Sequence, residues 1–166
     1  MTKRILRAAF VIALLVLAVL AWRHLFPSPE NAIKKRMRDV ARAASFSSNE
    51  APLAKISNSR RLMNFCSHDV EVTVEVRGYS RTTLSGQEEV LQAALTARSA
   101  LRGLSVEFLD VSVELARDKQ TATVILTGKG TVPGEKELLA QELRFTMKKE
   151  DHDWLIRKVE TVKTLF

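Results

Sequence analysis

Apolar residues fall into three rhythms along this chain, and each rhythm predicts a different kind of element. The first is a continuous apolar run from Ile5 to Trp22, carrying a single charge, Arg7, at its start. A helix of that length spans about 27 Å, close to the ~30 Å hydrocarbon core of a bilayer. We therefore expect a membrane anchor in which Ile5, Phe10, Leu15 and Leu20 meet lipid and Trp22 sits at the far interface. The second rhythm is helical. Ile33, Met37, Val40 and Ala44 recur at helix spacing after Pro27-Ser28-Pro29, which predicts a helix with Ser28 as N-cap and Pro29 in its first turn. Leu53, Ile56, Leu62 and Met63 mark a second helix within Glu50 to Phe65, broken early by Pro52. Val90, Leu91, Ala94, Leu95 and Leu101 mark a third, opened by a capping box at Ser85-Gly86-Gln87-Glu88 and ended at Gly103. The third rhythm has period two: Val70, Val72, Val74 and Val76 alternate with Glu71, Thr73 and Glu75, as in a strand with one buried face. Three long strand candidates follow, Leu104 to Ala116, Gln120 to Val132 and Lys136 to Lys149. Trp154 to Thr164 closes the chain as a last strand.

Charge sharpens this division. The sequence carries 26 Lys and Arg against 19 Asp and Glu, a formal net charge of +7. Through Ala44 there are nine basic and two acidic residues, and from Ser45 onward 17 of each, so the excess lies next to the apolar run. Anionic head groups attract Lys and Arg there at about 1 kcal/mol each, and we expect a lipid bilayer rather than nucleic acid as partner. Residues 1–28 read as an anchor with basic flanks and 29–166 as one domain, since a chain of 166 residues holds no second enzyme-sized unit. A cleaved signal peptide ending at Val19-Leu20-Ala21 is the competing reading. The length of the apolar run and the lack of a helix breaker before that site favour the uncleaved anchor. Lys3, Arg4 and Arg7 against Arg23 alone at the other end predict the N-terminus inside and the domain on the extracytoplasmic, periplasmic side of a single-pass protein, whereas counting the more distant cluster from Lys34 to Arg42 in full reverses the orientation.

Helix, helix, strand, helix and four long strands is an order with a known likeness. With PheCysSerHisAspValGluVal at 65–72, LeuSerGlyGlnGluGluValLeuGlnAla at 84–93, GlnThrAlaThrValIleLeuThr at 120–127 and AspTrpLeuIleArgLysValGluThrVal at 153–162, the chain from about Pro29 to Phe166 resembles the nuclear transport factor 2-like superfamily. That superfamily includes the SnoaL-like proteins and shares the cystatin-like cone. The resemblance implies an α+β class: three helices packed on a curved, mostly antiparallel sheet, here behind an N-terminal transmembrane helix, with a pocket at the open end of the cone. It does not imply a function, because members use the pocket for substrates, for partners, or not at all.

Relatives of this likeness that are isomerases set a carboxylate base opposite a Tyr and a protonated acid in an apolar cavity. The one tyrosine here, Tyr79, falls in a loop between Gly78 and Ser80, which departs from that arrangement. Asp69 and Asp110 remain as candidate acids, Asp110 standing amid an apolar strand. Arg98 continues the stripe of Leu91, Ala94 and Leu95; its stem snorkels, it pairs with a strand carboxylate, or it binds an anion in the pocket. Asp110, Tyr79 and Arg98 are thus the pocket candidates for ligand binding, and no residue is assigned a catalytic role. Cys66, the single cysteine, has no partner sulfur, and its two-residue spacing from His68 does not aim sulfur at imidazole along an extended chain. His24, His68 and His152 lie in separate elements without ligand spacing, so no metal is expected. No cofactor is expected either: Gly128-Lys129-Gly130-Thr131 lacks the upstream glycine of a phosphate loop, and its glycines suit a bulge or bend in a curled sheet. The expected function is a membrane-anchored, non-enzymatic binding or scaffold domain for a small molecule or an envelope protein. The alternatives are a SnoaL-type lyase or isomerase, and an assembly subunit resembling the inner-membrane factors of type IV secretion. The outer sheet face, with Ile125 among Thr121, Thr123 and Thr127, is the expected surface of a homodimer.

Overall fold

The computed structural model describes residues 12, 28–75, 81–135 and 139–164. The expected anchor therefore lies outside the described residues, apart from Ile12, and so does Tyr79. Among the described residues no helix is long and apolar enough to cross a membrane.

The three expected helices form at α1 (Pro29–Ala44), α2 (Pro52–Met63) and α3 (Gly86–Ala100). Ser28 caps α1 as its spacing requires: the side chain accepts from the Asn31 N–H at 3.3 Å, with Pro29 in the first turn. At the other end the Ser45 hydroxyl donates to the Ala41 carbonyl at 2.8 Å and accepts from the Val106 N–H at 2.9 Å, which fastens the end of α1 to the sheet. The capping box at α3 differs from its expected form. The Ser85 side chain makes no cap bond, and Glu89 rather than Glu88 accepts the Ser85 N–H, at 2.7 Å. Gly86 takes φ +80°, which turns the chain so that the next acid along reaches back.

The strands are β1 (Phe46–Ser47), β2 (Cys66–Val74), β3 (Thr82–Ser85), β4 (Gly103–Leu115), β5 (Thr121–Thr131), β6 (Leu139–Glu150) and β7 (Asp153–Thr164). They form one sheet in the order β1-β4-β5-β6-β7-β2-β3. Each neighbouring pair is antiparallel except β2 and β7, which run parallel. The chain is thus α+β, a mixed sheet curling around three helices. The inner face of that sheet is filled. Ile33 and Met37 of α1 meet Val70 of β2, Val124 and Leu126 of β5, Met147 of β6 and Ile156 of β7 in one cluster, with Phe108 packed edge-on to Phe145. The sheet is bulged in β4, where between the Leu109–Thr127 and Ser112–Ile125 pairs Asp110 and Val111 stand opposite Leu126 alone, and its register also shifts between β6 and β7 and between β2 and β7. The glycines of β5 do not supply that bulge, contrary to expectation, because the register through Gly128 and Gly130 is unbroken against both neighbours. Gly128 instead makes room, since a Cβ there would stand 2.8 Å from Leu143 Cδ1 across the pair.

Candidate functional site

Past Leu126 the inner face of the sheet runs out of helix to cover it. There Leu104, Val106 and Phe108 of β4, Gly128 and Gly130 of β5, and Gln141 and Leu143 of β6 line a shallow depression of about 240 Å³. Strand periodicity explains the lining. Alternate residues of β4 continue the inward set up to its bulge, and paired glycines on β5 leave a gap where side chains would otherwise close the floor. The volume falls below the ~300–1,000 Å³ of typical small-molecule pockets, so the depression suits a ring or a chain end rather than a whole substrate. Its polarity is low. Gln141 spends an amide N–H on the Glu75 carbonyl at 3.0 Å, and the Lys129 ammonium lies 3.5 Å from Glu107. Among the described lining residues no two ionisable groups converge.

Of the residues singled out from sequence, Asp110 sits exposed at the bulge with φ +53°, a left-handed conformation that Asp tolerates better than most residues. Arg98 is 3% exposed and locked. Its Nη1 donates to both Glu50 oxygens at 2.8 Å, its Nη2 donates to the Ala43 carbonyl at 2.7 Å, and its guanidinium lies over the Phe46 ring at 4.8 Å. The Asn58 amide adds a third hydrogen bond to Glu50, at 2.6 Å. Burial raises the Glu50 carboxyl, but the bonds from Asn58 and Arg98, with the charges of Arg98 and Lys55, outweigh it and hold the group below its ordinary value. Arg98 and Asp110 are not brought together, and Tyr79 lies outside the described residues. The carboxylate that Arg98 finds comes from the loop before α2 and not from a strand.

Sequence reasoning missed two fasteners between helices and sheet. Gln87 donates to the Met63 and Cys66 carbonyls at 3.2 and 2.7 Å, joining the end of α2 to the start of β2. Arg36 donates to the Asn64 carbonyl at 2.9 Å and to the Trp154 carbonyl at 3.1 Å, while covering Phe65. Its place on the inner flank of α1, one residue before Met37, is the signal that could have found it. Cys66 is buried, its thiol pushed up to about 11 by burial against the partial relief of the Arg36 charge, whereas His68 is exposed. The thiol is therefore protonated and unreactive near neutral pH. Among the described residues no group of three or more His, Cys, Asp and Glu is placed to hold a metal ion.

A scan against protein-family models finds no match to this sequence, and a search of curated proteins returns none. Solved structures do match. A nuclear transport factor 2-like protein with a cystatin-like fold from Novosphingobium aromaticivorans aligns with TM-score 0.61 at 18% identity, over 87% of this chain and 88% of its own. A domain of unknown function with a cystatin-like fold from Nostoc punctiforme aligns with TM-score 0.62 at 18% identity, over 85% and 80%. Aln2 from Streptomyces aligns with TM-score 0.63 at 13% identity, over 83% and 92%. At such identities the likeness is one of fold. The chain has the nuclear transport factor 2-like, cystatin-like cone, as its element order implies.

Proposed function

We propose that this protein is a non-enzymatic binding domain held at a membrane by residues 5–22, with the domain on the extracytoplasmic side, and that it takes a small apolar group in the depression on β4, β5 and β6. The observation that carries the reading is the composition of that depression: an apolar floor, one amide already bonded, and no convergent ionisable pair among its described walls. General acid–base chemistry needs such a pair. The remainder of the cone supports the same reading, because Ile33, Met37, Phe145 and Met147 occupy the space where a deep substrate cavity would lie.

Photolabelling of the full chain in lipid nanodiscs with benzophenone tests the proposal. Adducts are expected on Leu104 to Phe108 and on Leu143, and Gly128→Val, which fills the gap above Leu143, should remove most of them. Adducts spread over the surface, or unchanged labelling in Gly128→Val, would overturn it. The tether is tested separately by carbonate extraction and by the mass of the mature N-terminus.

A further inference from the structure

The two helices nearest the apolar run form a layer with its own charge. From Pro29 to Asn64 the chain holds eight basic and three acidic residues, a net +5, whereas from Phe65 onward it holds fourteen basic and sixteen acidic, a net −2. The helices α1 and α2 lie side by side and antiparallel: Arg36 midway along α1 reaches the Asn64 carbonyl just past the end of α2, while Ala43 at the end of α1 shares Arg98 with Glu50 just before its start. With Ile33, Met37 and Val40 turned to the sheet, α1 leaves Lys35, Arg38 and Arg42 outside at a spacing of three and four. With Ser59 and Met63 turned in, α2 leaves Leu53, Ile56 and Arg60 outside at the same spacing. Leu53 is 82% exposed and Ile56 43%. Between the helices a cleft of about 400 Å³ is walled by Arg36, Arg42, Arg61, Asn58 and Ser45, with Asp39 as its one carboxylate. Arg36 is committed to two backbone carbonyls and to the Asp153 carboxylate at 3.4 Å, and Arg42 is held by Asp39 at 3.4 Å in the open. Arg61 is exposed beside them.

We infer that the outer face of α1 and α2 docks flat on an anionic lipid surface, with Leu53 and Ile56 entering the head-group region and the cleft between the helices taking a lipid phosphate. The inference rests on the membrane placement proposed above and adds a face, an orientation and a lipid class to it. Three observations select this occupant. Basic side chains around protruding apolar ones are the composition of an interfacial amphipathic surface. The rest of the domain is close to neutral at −2, so the basic excess that anionic lipid attracts lies on these two helices. Five residues separate Trp22 from Ser28, a stretch that reaches at most about 18 Å, so a spanning anchor holds the start of α1 close to the head groups.

The test uses the full chain in vesicles of phosphatidylcholine, with and without added phosphatidylglycerol. A polarity-sensitive fluorophore is placed on Leu53→Cys; the buried, protonated Cys66 does not compete for the label. A second label on Glu114→Cys reports the exposed sheet face. The Leu53 label should shift to the blue and become accessible to lipid-borne quenchers only with phosphatidylglycerol, and salt should reverse the shift. The Glu114 label should stay in water throughout. Replacing Arg60→Glu and Arg61→Glu together should abolish the response while leaving the chain in the membrane. Free phosphate that reverses the shift more strongly than chloride at equal ionic strength would assign the cleft to soluble phosphate as well. A Leu53 label that remains in water on anionic vesicles, as it would if a second copy or another protein covered the face, overturns the inference. So does an equal response from Glu114. If the tether reading alone fails, carbonate releases the chain, yet the wild type still floats with anionic vesicles in a salt-sensitive manner.

Discussion

At the scale of single residues, the Arg98–Glu50 pair is the most deeply buried ion pair among the described residues, both side chains being largely out of water. Each depends on the other to offset its desolvation. Arg98→Met should therefore destabilise the fold by about 3–5 kcal/mol, the usual cost of leaving a buried charge alone, and pairing it with Glu50→Leu should recover a large part of that loss. Urea unfolding of the three variants reads both numbers. The pair also sets an acid limit. The Glu50 carboxyl is depressed in the folded protein, so its stabilisation is fully present above the unfolded carboxyl value of about 4.3 and is lost as pH falls toward the folded value. Melting temperature should drop more steeply below that point in the wild type than in Glu50→Gln. Sequence went half of this way. The stripe of Leu91, Ala94 and Leu95 marks Arg98 as turned inward, but nothing along one helix names a partner 48 residues upstream, in a loop that only tertiary packing brings close.

At the scale of elements, the long strands and all three helices were legible because each repeats its period several times over. Expected and observed ends agree to within a few residues. What escaped was short or irregular. The two-residue β1 and the four-residue β3 lie at opposite edges of the sheet, where one side goes unpaired and exposure is too even to leave an alternation. The bulge in β4 was hidden for a different reason. An acid within an apolar strand signals chemistry as readily as backbone geometry, and Asp110 takes φ +53° there. Asp110→Gly should accordingly fold as well as the wild type and keep benzophenone labelling of Phe108, whereas Asp110→Val should cost about 1–2 kcal/mol through the left-handed backbone alone. Thermal melts with peptide mapping decide it; loss of labelling in a folded Asp110→Gly would return the residue to the binding site.

At the scale of the molecule, the charge map was visible in the sequence, and the fold extends its basic part past Ala44. A boundary at Ala44 leaves a neutral remainder, yet Lys55, Arg60 and Arg61 belong with α1, in one helical layer. The outer face of that sheet is the surface proposed for a homodimer, and the register sharpens what it presents. Leu143 and Ile156 turn inward, and Arg144 lies outward beside Ile125. What remains is a small apolar centre. Ile125 stands between Ser112 and Arg144, and Leu109, 45% exposed, adjoins Thr127. Around it run opposite charges: Glu107 with Lys129 at 3.5 Å, and Lys158 with Glu160 at 2.9 Å and with Glu71 at 3.8 Å. An apolar centre inside a charged rim is the layout of a modest protein interface, and a two-fold axis near Ile125 would set each apolar pair on its copy. Tethering both copies in one membrane raises their effective concentration, so even a weak contact is populated there. The full chain in detergent should show a dimer by light scattering at the highest concentrations reached. Ile125→Lys should return it to monomer with an unchanged melting temperature, because the side chain lies outside the core, while Leu53→Lys on the helical face should leave the dimer intact. A monomer at every concentration, or a dimer lost through Leu53→Lys instead, would remove the sheet face from consideration and leave the helical layer as the working surface of the domain.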